Sequence, residues 1–222
     1  KFLQNIYYEE GVKMGNTYVL IDEQNWKRAM HCKVFRDCVE PAFCVSFELD
    51  ITNFLQKIRE KHYSFTFAMI YSVTVCANQI EEFRYHFLDG KVVLYDQIDT
   101  AFAYLDKETE LFKVVNVPME ETLEKYLVSA AKKAEEQEEY FTGPLGTDVF
   151  QFSPLPWVSF THISHTNAGK KDNATPLIDW GKYFQREGRI LLPFSVQAHH
   201  SFVDGLHIGK LANTLQAYLD AF

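Results

Sequence analysis

The stretch QAHHSFVDGLHIG, Gln197 to Gly209, carries three histidines and an aspartate where a predicted strand hands over to a predicted helix. Side chains at such a junction are held rigidly and still reach a ligand. Chance supplies His-His-x-x-x-Asp-Gly in a chain of this length on the order of one time in a thousand or fewer. Adjacent residues at a strand end point to opposite faces, so His199 and His200 are poorly placed to bind one metal together. One imidazole is expected to turn into the core and the other toward a cleft. A neutral histidine there, with an ordinary pKa near ~6.5, is suited to take a proton from a hydroxyl near neutral pH. Asp204 at the helix start either caps an orphan N–H or, if buried, needs a cationic partner. Gly205 after it permits close backbone packing.

The elements around this segment follow from periodicity and turn chemistry. Asp22 is expected to cap a helix running to about Arg36, with Trp26, Met30 and Val34 on one face. Ala42 to Ile51 alternates as a strand with Phe43, Val45, Phe47 and Leu49 on one side, and Thr52 is expected to cap a helix to about Lys61. Ser64 to Phe83 reads as a largely buried helix, Asp89-Gly90 as a tight turn, and AFAYLDKETELFKVV as two strands joined around Lys107 and Glu108. A long helix is expected from Met119 to about Tyr140, with an acidic, solvated end. DVFQF and PWVSFTHIS then read as strands, followed by a polar loop, AGKKDNATP. LIDWGKYFQ and RILLPFSVQAHH form a hairpin around Arg186-Glu187-Gly188, and an amphipathic helix from Asp204 carries Ile208, Leu211, Leu215 and Leu219. Helices and strands interleave without a βαβ repeat, which argues for one α+β domain over residues 1–222.

With 222 residues, 47% hydrophobic and 23% charged, the chain can bury a core without crosslinks or metals. The formal charge of −8 disfavours general attraction to nucleic acid or anionic lipid, and no run is long and apolar enough to span a membrane. The opening KFLQNIYYEEGVK lacks the apolar core of a secretion signal, so a cytoplasmic protein is expected. Cys32, Cys38, Cys44 and Cys76 show no C-x-x-C pair and fit no zinc template, so they read as reduced thiols and no metal is expected. Neither a G-x-G-x-x-G nor a P-loop is present. Aromatic residues make up 15% of the chain, enough to line an apolar pocket as well as fill a core.

HHSFVDGLHIG, with FSPLPWVSF upstream and NWKR near the N-terminus, resembles the chloramphenicol acetyltransferase family over essentially the whole chain. HHxxxDG alone is shared with dihydrolipoamide acyltransferase cores and peptide-synthetase condensation domains, and the flanking motifs separate them. The resemblance implies a two-layer α/β sandwich with a mixed sheet, assembled as a homotrimer with its active site between subunits, and acetyl-CoA as acyl donor. It implies that His200 is the general base and that the Ser153 hydroxyl, contributed across the interface, stabilises the tetrahedral oxyanion. It further implies a buried ion pair between Asp204 and Arg28, and contacts to the coenzyme from Trp157, Lys182 and Tyr183. Read without the resemblance, Ser153 is a strand-end hydroxyl bonded to its own backbone, Arg28 is solvent-exposed and Trp157 is core.

The departures concern the small-molecule hydroxyl acceptor. Val34, Phe35 and Phe43 in VFRDCVEPAFC keep the apolar character of the family's acceptor pocket, without its aromatic pair and cysteine. Asp179 stands where the family often has threonine, and its charge would oppose a developing oxyanion unless it is turned away or paired. His207 is expected to be structural, and His162 and His165 have no assigned role. Chloramphenicol is the expected acceptor, alongside two alternatives: another hydroxyl or thiol acceptor, or a non-catalytic small-molecule binder of the same fold.

Overall fold

Two antiparallel strands, Ala42–Asp50 (β2) and Arg189–His199 (β10), pair over nine residues, from Leu191 against Asp50 to His199 against Ala42. The computed structural model describes residues 16–142, 146–165 and 172–222. On the other edge of β10 lies Leu177–Trp180 (β8), followed by Val149–Phe152 (β7), Asp99–Leu105 (β5) and Phe112–Val117 (β6), with Phe184–Arg186 (β9) pairing the start of β10. β7 runs parallel to both β8 and β5, so this seven-stranded sheet is mixed. Tyr18–Leu20 (β1), Tyr85–Leu88 (β3) and Lys91–Tyr95 (β4) form a second, antiparallel sheet in the order β1-β4-β3. The sheets and helices together give the expected α+β class.

The register sorts the large sheet's residues onto two chemically different faces, because side chains opposite one another across strands share a face. One row reads Val115, Phe102, Phe152, Ile178, Val196 and Val45. All but Val45 are buried, and the helices Thr52–Glu60 (α2), Phe65–Asn78 (α3), Leu123–Glu136 (α4) and Gly205–Asp220 (α5) pack against one another and onto these strands. The neighbouring row, on the opposite face, includes Val114, Ala103, Ser153, Asp179, Ser195 and Ser46, and is small and polar apart from Val114.

Two-residue turns close both hairpins. Asp89-Gly90 and Glu187-Gly188 adopt positive φ at both positions, 49° and 74°, then 51° and 78°, which suits the right-handed twist of paired strands. The buried α3 satisfies its hydroxyls internally: Ser72 donates to the Ala68 carbonyl at 2.8 Å and Thr74 to that of Ile70 at 2.7 Å.

Several boundaries differ from the sequence expectation. α3 stops at Asn78, whose side chain leaves to pair both backbone groups of Ile98, and a short 3-10 turn, Glu81–Phe83, replaces the expected last turn. The next helix is shorter at both ends, because Thr122 caps it at Lys125 and the Gln137 side chain turns away to the carbonyls of Val114 and Glu139. Thr52 is the first residue of α2 and its amide is capped by Asp50.

The first helix, Ala29–Arg36 (α1), begins well after Asp22, which instead closes a turn onto Gln24 and Asn25. Its inner face is therefore Arg28 and Cys32; of the expected stripe, Trp26 packs on Tyr85 and Phe202 ahead of the helix, while Met30 and Val34 stay 68% and 56% exposed. PWVSFTHIS is not a strand. Prolines 154 and 156 supply no amide donor, and beyond one bridge between Leu155 and Gly181 the chain crosses irregularly. Gly181 is needed at that crossing, since a Cβ there would lie 2.7 Å from the Val158 carbonyl oxygen. The N-terminal extended segment before Asn16 and the first four residues of the AGKKDNATP loop lie outside the described residues. No helix among the described residues is long and apolar enough to cross a membrane.

His86 of β3 is fully buried, with its ring 5.6 Å from that of Tyr95. Burial pushes its pKa down to about 3, aided by repulsion from His199 and opposed by the Phe83 backbone. The unfolded chain then binds a proton below pH ~6.5 that the folded chain refuses, so this contribution is full above that pH and is lost as pH falls toward 3. Chemical denaturation from pH 7 to 5 is expected to show a loss approaching about 1.4 kcal/mol per pH unit for this group. His86→Leu is expected to flatten that slope, and an unchanged slope would contradict the account.

Candidate active site

His200 follows the last residue of β10, and its backbone N–H donates to the Pro41 carbonyl at 2.8 Å, which pins the strand end. Its Nδ1 lies 3.1 Å from the Val203 carbonyl oxygen. A carbonyl only accepts, so Nδ1 carries the proton and Nε2 keeps the lone pair. The ring stacks on Phe35 at 4.0 Å and tilts against Phe43 at 4.5 Å, so two of the three expected acceptor residues flank the expected base. Val34, the third, sits on the outer side of α1. His199 points the other way and is buried, its Nδ1 accepting from the Ser201 N–H at 3.2 Å and its ring edge-on to Phe87. The alternation expected of the two histidines is present.

The turn between His200 and α5 is held by charge. Arg28, 7% exposed, reaches the Asp204 carboxylate with Nη1 at 3.2 Å and the Ser201 carbonyl with Nε at 3.4 Å. Asp204 caps α5 by accepting from the Leu206 N–H, and His207 completes a capping box by accepting the Asp204 N–H on Nδ1. Partial burial pushes the Asp204 carboxyl upward, but the Arg28 hydrogen bond, the His207 charge and the Leu206 amide outweigh it and hold the group below its usual range. On its other edge, His207 Nε2 lies 3.4 Å from Glu82, which in turn faces Lys27 at 3.6 Å. His207 is thus structural, as expected.

Ser153 lies just past β7, its N–H donating to the Ile178 carbonyl at 3.2 Å. With Ala103, Leu105, Phe112 and Trp157 it lines a cavity of about 480 Å³, which continues past Gln151 and Leu177 to His165 as a second hollow of about 230 Å³. This cavity is on the small, polar face of the sheet. His200 extends β10 five residues beyond Ser195, at the edge where Phe43 of the apolar face meets it, whereas Ser153 shares the row of Ser195 two strands away. Strand geometry puts the two on the order of 20 Å apart within one chain. A single chain therefore does not bring them together.

Asp179 is 1% exposed, and its Oδ2 lies 2.7 Å from His165 Nε2. Burial raises its pKa, outweighing His165 and the nearby Ser153 backbone. The acid is thus paired, by a histidine to which sequence reasoning gave no role. No spacing rule could have supplied this partner, since the loop carrying it has no regular structure.

Trp157 is 64% exposed beside Ser153, and the Lys182 N–H donates to the Val158 carbonyl at 2.9 Å, which places Lys182 beside the Trp157 segment. The Tyr183 hydroxyl lies 3.3 Å from Nη2 of Arg59 on α2, a second cation near Lys182 that a helix-surface arginine does not advertise in sequence.

A family model described as chloramphenicol acetyltransferase matches residues 16–216. The chain belongs to the chloramphenicol acetyltransferase family. It is 32% identical over 207 residues to chloramphenicol acetyltransferase 2 of Haemophilus influenzae, covering 91% of this chain and 97% of that protein. It is 30% identical over 203 residues to chloramphenicol acetyltransferase 3 of Escherichia coli, covering 90% and 95%. A solved chloramphenicol acetyltransferase structure superposes with a TM-score of 0.84 at 28% identity, covering 91% of this chain and all of that one. The family's histidine motif and the FSPLPW segment, over 40 residues apart in sequence, border the two faces just described.

Removing one partner of the Arg28–Asp204 pair strands the other. A fully buried pair loses about 3 to 5 kcal/mol on such a break, and the 30% exposure of the Asp204 side chain reduces that here. With the lost cap included, Asp204→Ala is expected to cost about 3 kcal/mol. The double variant Arg28→Leu, Asp204→Asn is expected to recover part of it in urea titrations. Additive losses would show that the two side chains are not coupled.

Proposed function

We propose that the chain is an acyltransferase that moves the acetyl group of acetyl-CoA to a hydroxyl of chloramphenicol. The observation that carries the reading is the imidazole of His200, with Nδ1–H committed to Val203 and Nε2 left as a base between two aromatic rings. Nε2 takes the hydroxyl proton as the oxygen attacks the thioester carbonyl. A C–O bond forms, the oxyanion accepts a hydrogen bond from Ser153, and collapse breaks the C–S bond while His200 returns the proton to the coenzyme sulfur. Phe35 and Phe43 form the apolar wall on the histidine side, and Val34 stands on the outer side of α1. Trp157, Lys182 and Tyr183, with Arg59, are assigned to the coenzyme, the cations facing its phosphates.

Because His200 and Ser153 border different faces of one chain's sheet, the reading requires a second copy to supply Ser153. A homotrimer with one shared cleft per interface meets this requirement, each copy forming a two-layer sandwich with helices on one face and a neighbour on the other. The exposed Met30, Val34, Trp157 and Val158 suit such contacts. The four free thiols suit a reducing compartment, in keeping with a cytoplasmic enzyme.

One observation favours a second acceptor class. The His165–Asp179 pair adds a polar group to a hollow lined mainly by aromatic and aliphatic side chains, which admits other hydroxyl- or thiol-bearing acceptors. Tight binding of chloramphenicol without turnover would instead mark a non-catalytic binder.

Purified protein with acetyl-CoA and chloramphenicol is expected to release coenzyme thiol. His200→Ala should lower kcat/KM by at least ~10² to 10⁴ and Ser153→Ala by about 10² to 10³. Mixing the two variants should restore part of the activity through hybrid assemblies that combine an intact histidine with an intact serine. Unchanged turnover in both single variants would refute the mechanism.

A further inference from the structure

The hollow beside Ser153 is lined mainly by aromatic and aliphatic side chains such as Phe112, Val114 and Phe141, and its polar side chains are Gln151, Ser153 and His165. Its orientation is built. Asp179 receives Nε2 at 2.7 Å, and the loop carrying the histidine is tied to the sheet by Cys44, whose Sγ donates to the Ile163 carbonyl at 3.3 Å. Cys44 in turn contacts Ser195 at 3.0 Å, and Ser195 contacts Ser46 at 3.2 Å, so the polar row of the sheet supports the pair from beneath. Asp179 and Ser195 are themselves register partners. A carboxylate accepts, so the neutral ring carries its proton on Nε2 and leaves Nδ1 as an acceptor. Asp179 Oδ1 is buried with no hydrogen-bond partner among the described residues, so the pair is incompletely satisfied. In a largely apolar cavity a rigidly held polar side chain helps to fix the orientation of the ligand, and of the polar side chains here His165 is the one braced by a buried carboxylate.

We propose that His165, held by Asp179, is the polar anchor of this cavity and selects acceptors that carry a hydrogen-bond donor in addition to the hydroxyl that is acylated. The proposal rests on the reading that the cavity beside Ser153 receives the acceptor. Such an anchor discriminates strongly, because a ligand without the donor leaves a desolvated imidazole unpaired, whereas the aromatic lining tolerates either ligand.

Two matched probes test it: 2-phenylethanol, with one hydroxyl, and 1-phenyl-1,2-ethanediol, with a second. Thiol release with saturating acetyl-CoA gives kcat and KM, and calorimetry in the presence of CoA gives affinity without turnover. The wild-type chain is expected to favour the diol by about 10-fold in both KM and Kd. His165→Leu should abolish that preference, raising KM and Kd for the diol by about 10-fold more than for the mono-alcohol. His165→Asn, which keeps a polar group, should restore part of the preference, and Asp179→Asn should erode it. Equal effects on both probes, or a wild-type chain with no preference for the diol, would overturn the anchor. If neither alcohol releases thiol while calorimetry still shows the His165-dependent preference, the catalytic reading fails and the anchor stands.

Discussion

The arrangement depends on the alternation of side chains along a strand. Across β2, β10, β8, β7 and β5, one row of residues is aliphatic and aromatic and is sealed by helices, and the next row is serine, serine, aspartate, serine and alanine. A sheet that buried both faces in its own chain would have no use for the second row, since small hydroxyl side chains and a carboxylate are poor packing material. Their presence marks a face built to meet a ligand or another copy. By the same alternation His199 falls on the face of Ser195 and packs against Phe87, while His200, past the strand end, falls on the face of Val196 beside Phe43, so the proposed base and the proposed oxyanion donor lie on different faces of one chain's sheet. Assembly is on this view a condition of the chemistry as well as of stability.

His200, the proposed base, is positioned by neighbours with structural roles. His200 is held from behind by the Val203 carbonyl, Val203 begins the turn that ends at Asp204, and Asp204 is anchored by Arg28 on a different helix. Arg28 is buried with one guanidinium nitrogen unpartnered among the described residues, so its desolvation is offset by few contacts there, and the net stabilisation from the pair is small. What the pair secures is geometry. A neutral substitute of similar volume would pack as well but would not tie α1 to the start of α5, and Phe35, the ring stacked on His200, rides on α1.

Much of this was legible in the sequence, where local signals act alone. The β10 strand, the cap at Asp204, the glycine turns and the opposed histidines all follow from period and side-chain chemistry. The start of α1 was not legible, because Asp22 satisfies a turn as readily as a helix and the face of α1 is chosen by an aspartate 176 residues away. PWVSFTHIS has the hydrophobicity of a strand, but the prolines at 154 and 156 leave its entry without amide donors and it joins the sheet only through the Leu155–Gly181 bridge. The pairing of Asp179 was visible only as a problem: the sequence showed a misplaced charge, and its solution lies in a loop histidine that no periodicity places.

That problem bears on the chemistry. A buried carboxylate next to Ser153 would raise the energy of an oxyanion there if it carried a full, unshielded charge. Burial pushes Asp179 toward its protonated form, and His165 at 2.7 Å draws the remaining charge toward itself. Either way the proton between them sits close to the serine and screens it, so the pair as a whole presents less negative charge to the site than the aspartate alone. An acid at this position is therefore compatible with acyl transfer as long as the histidine is present. The two residues are best understood as one unit, and a chain that lost His165 while keeping Asp179 would retain the fold and forfeit the environment that Ser153 requires.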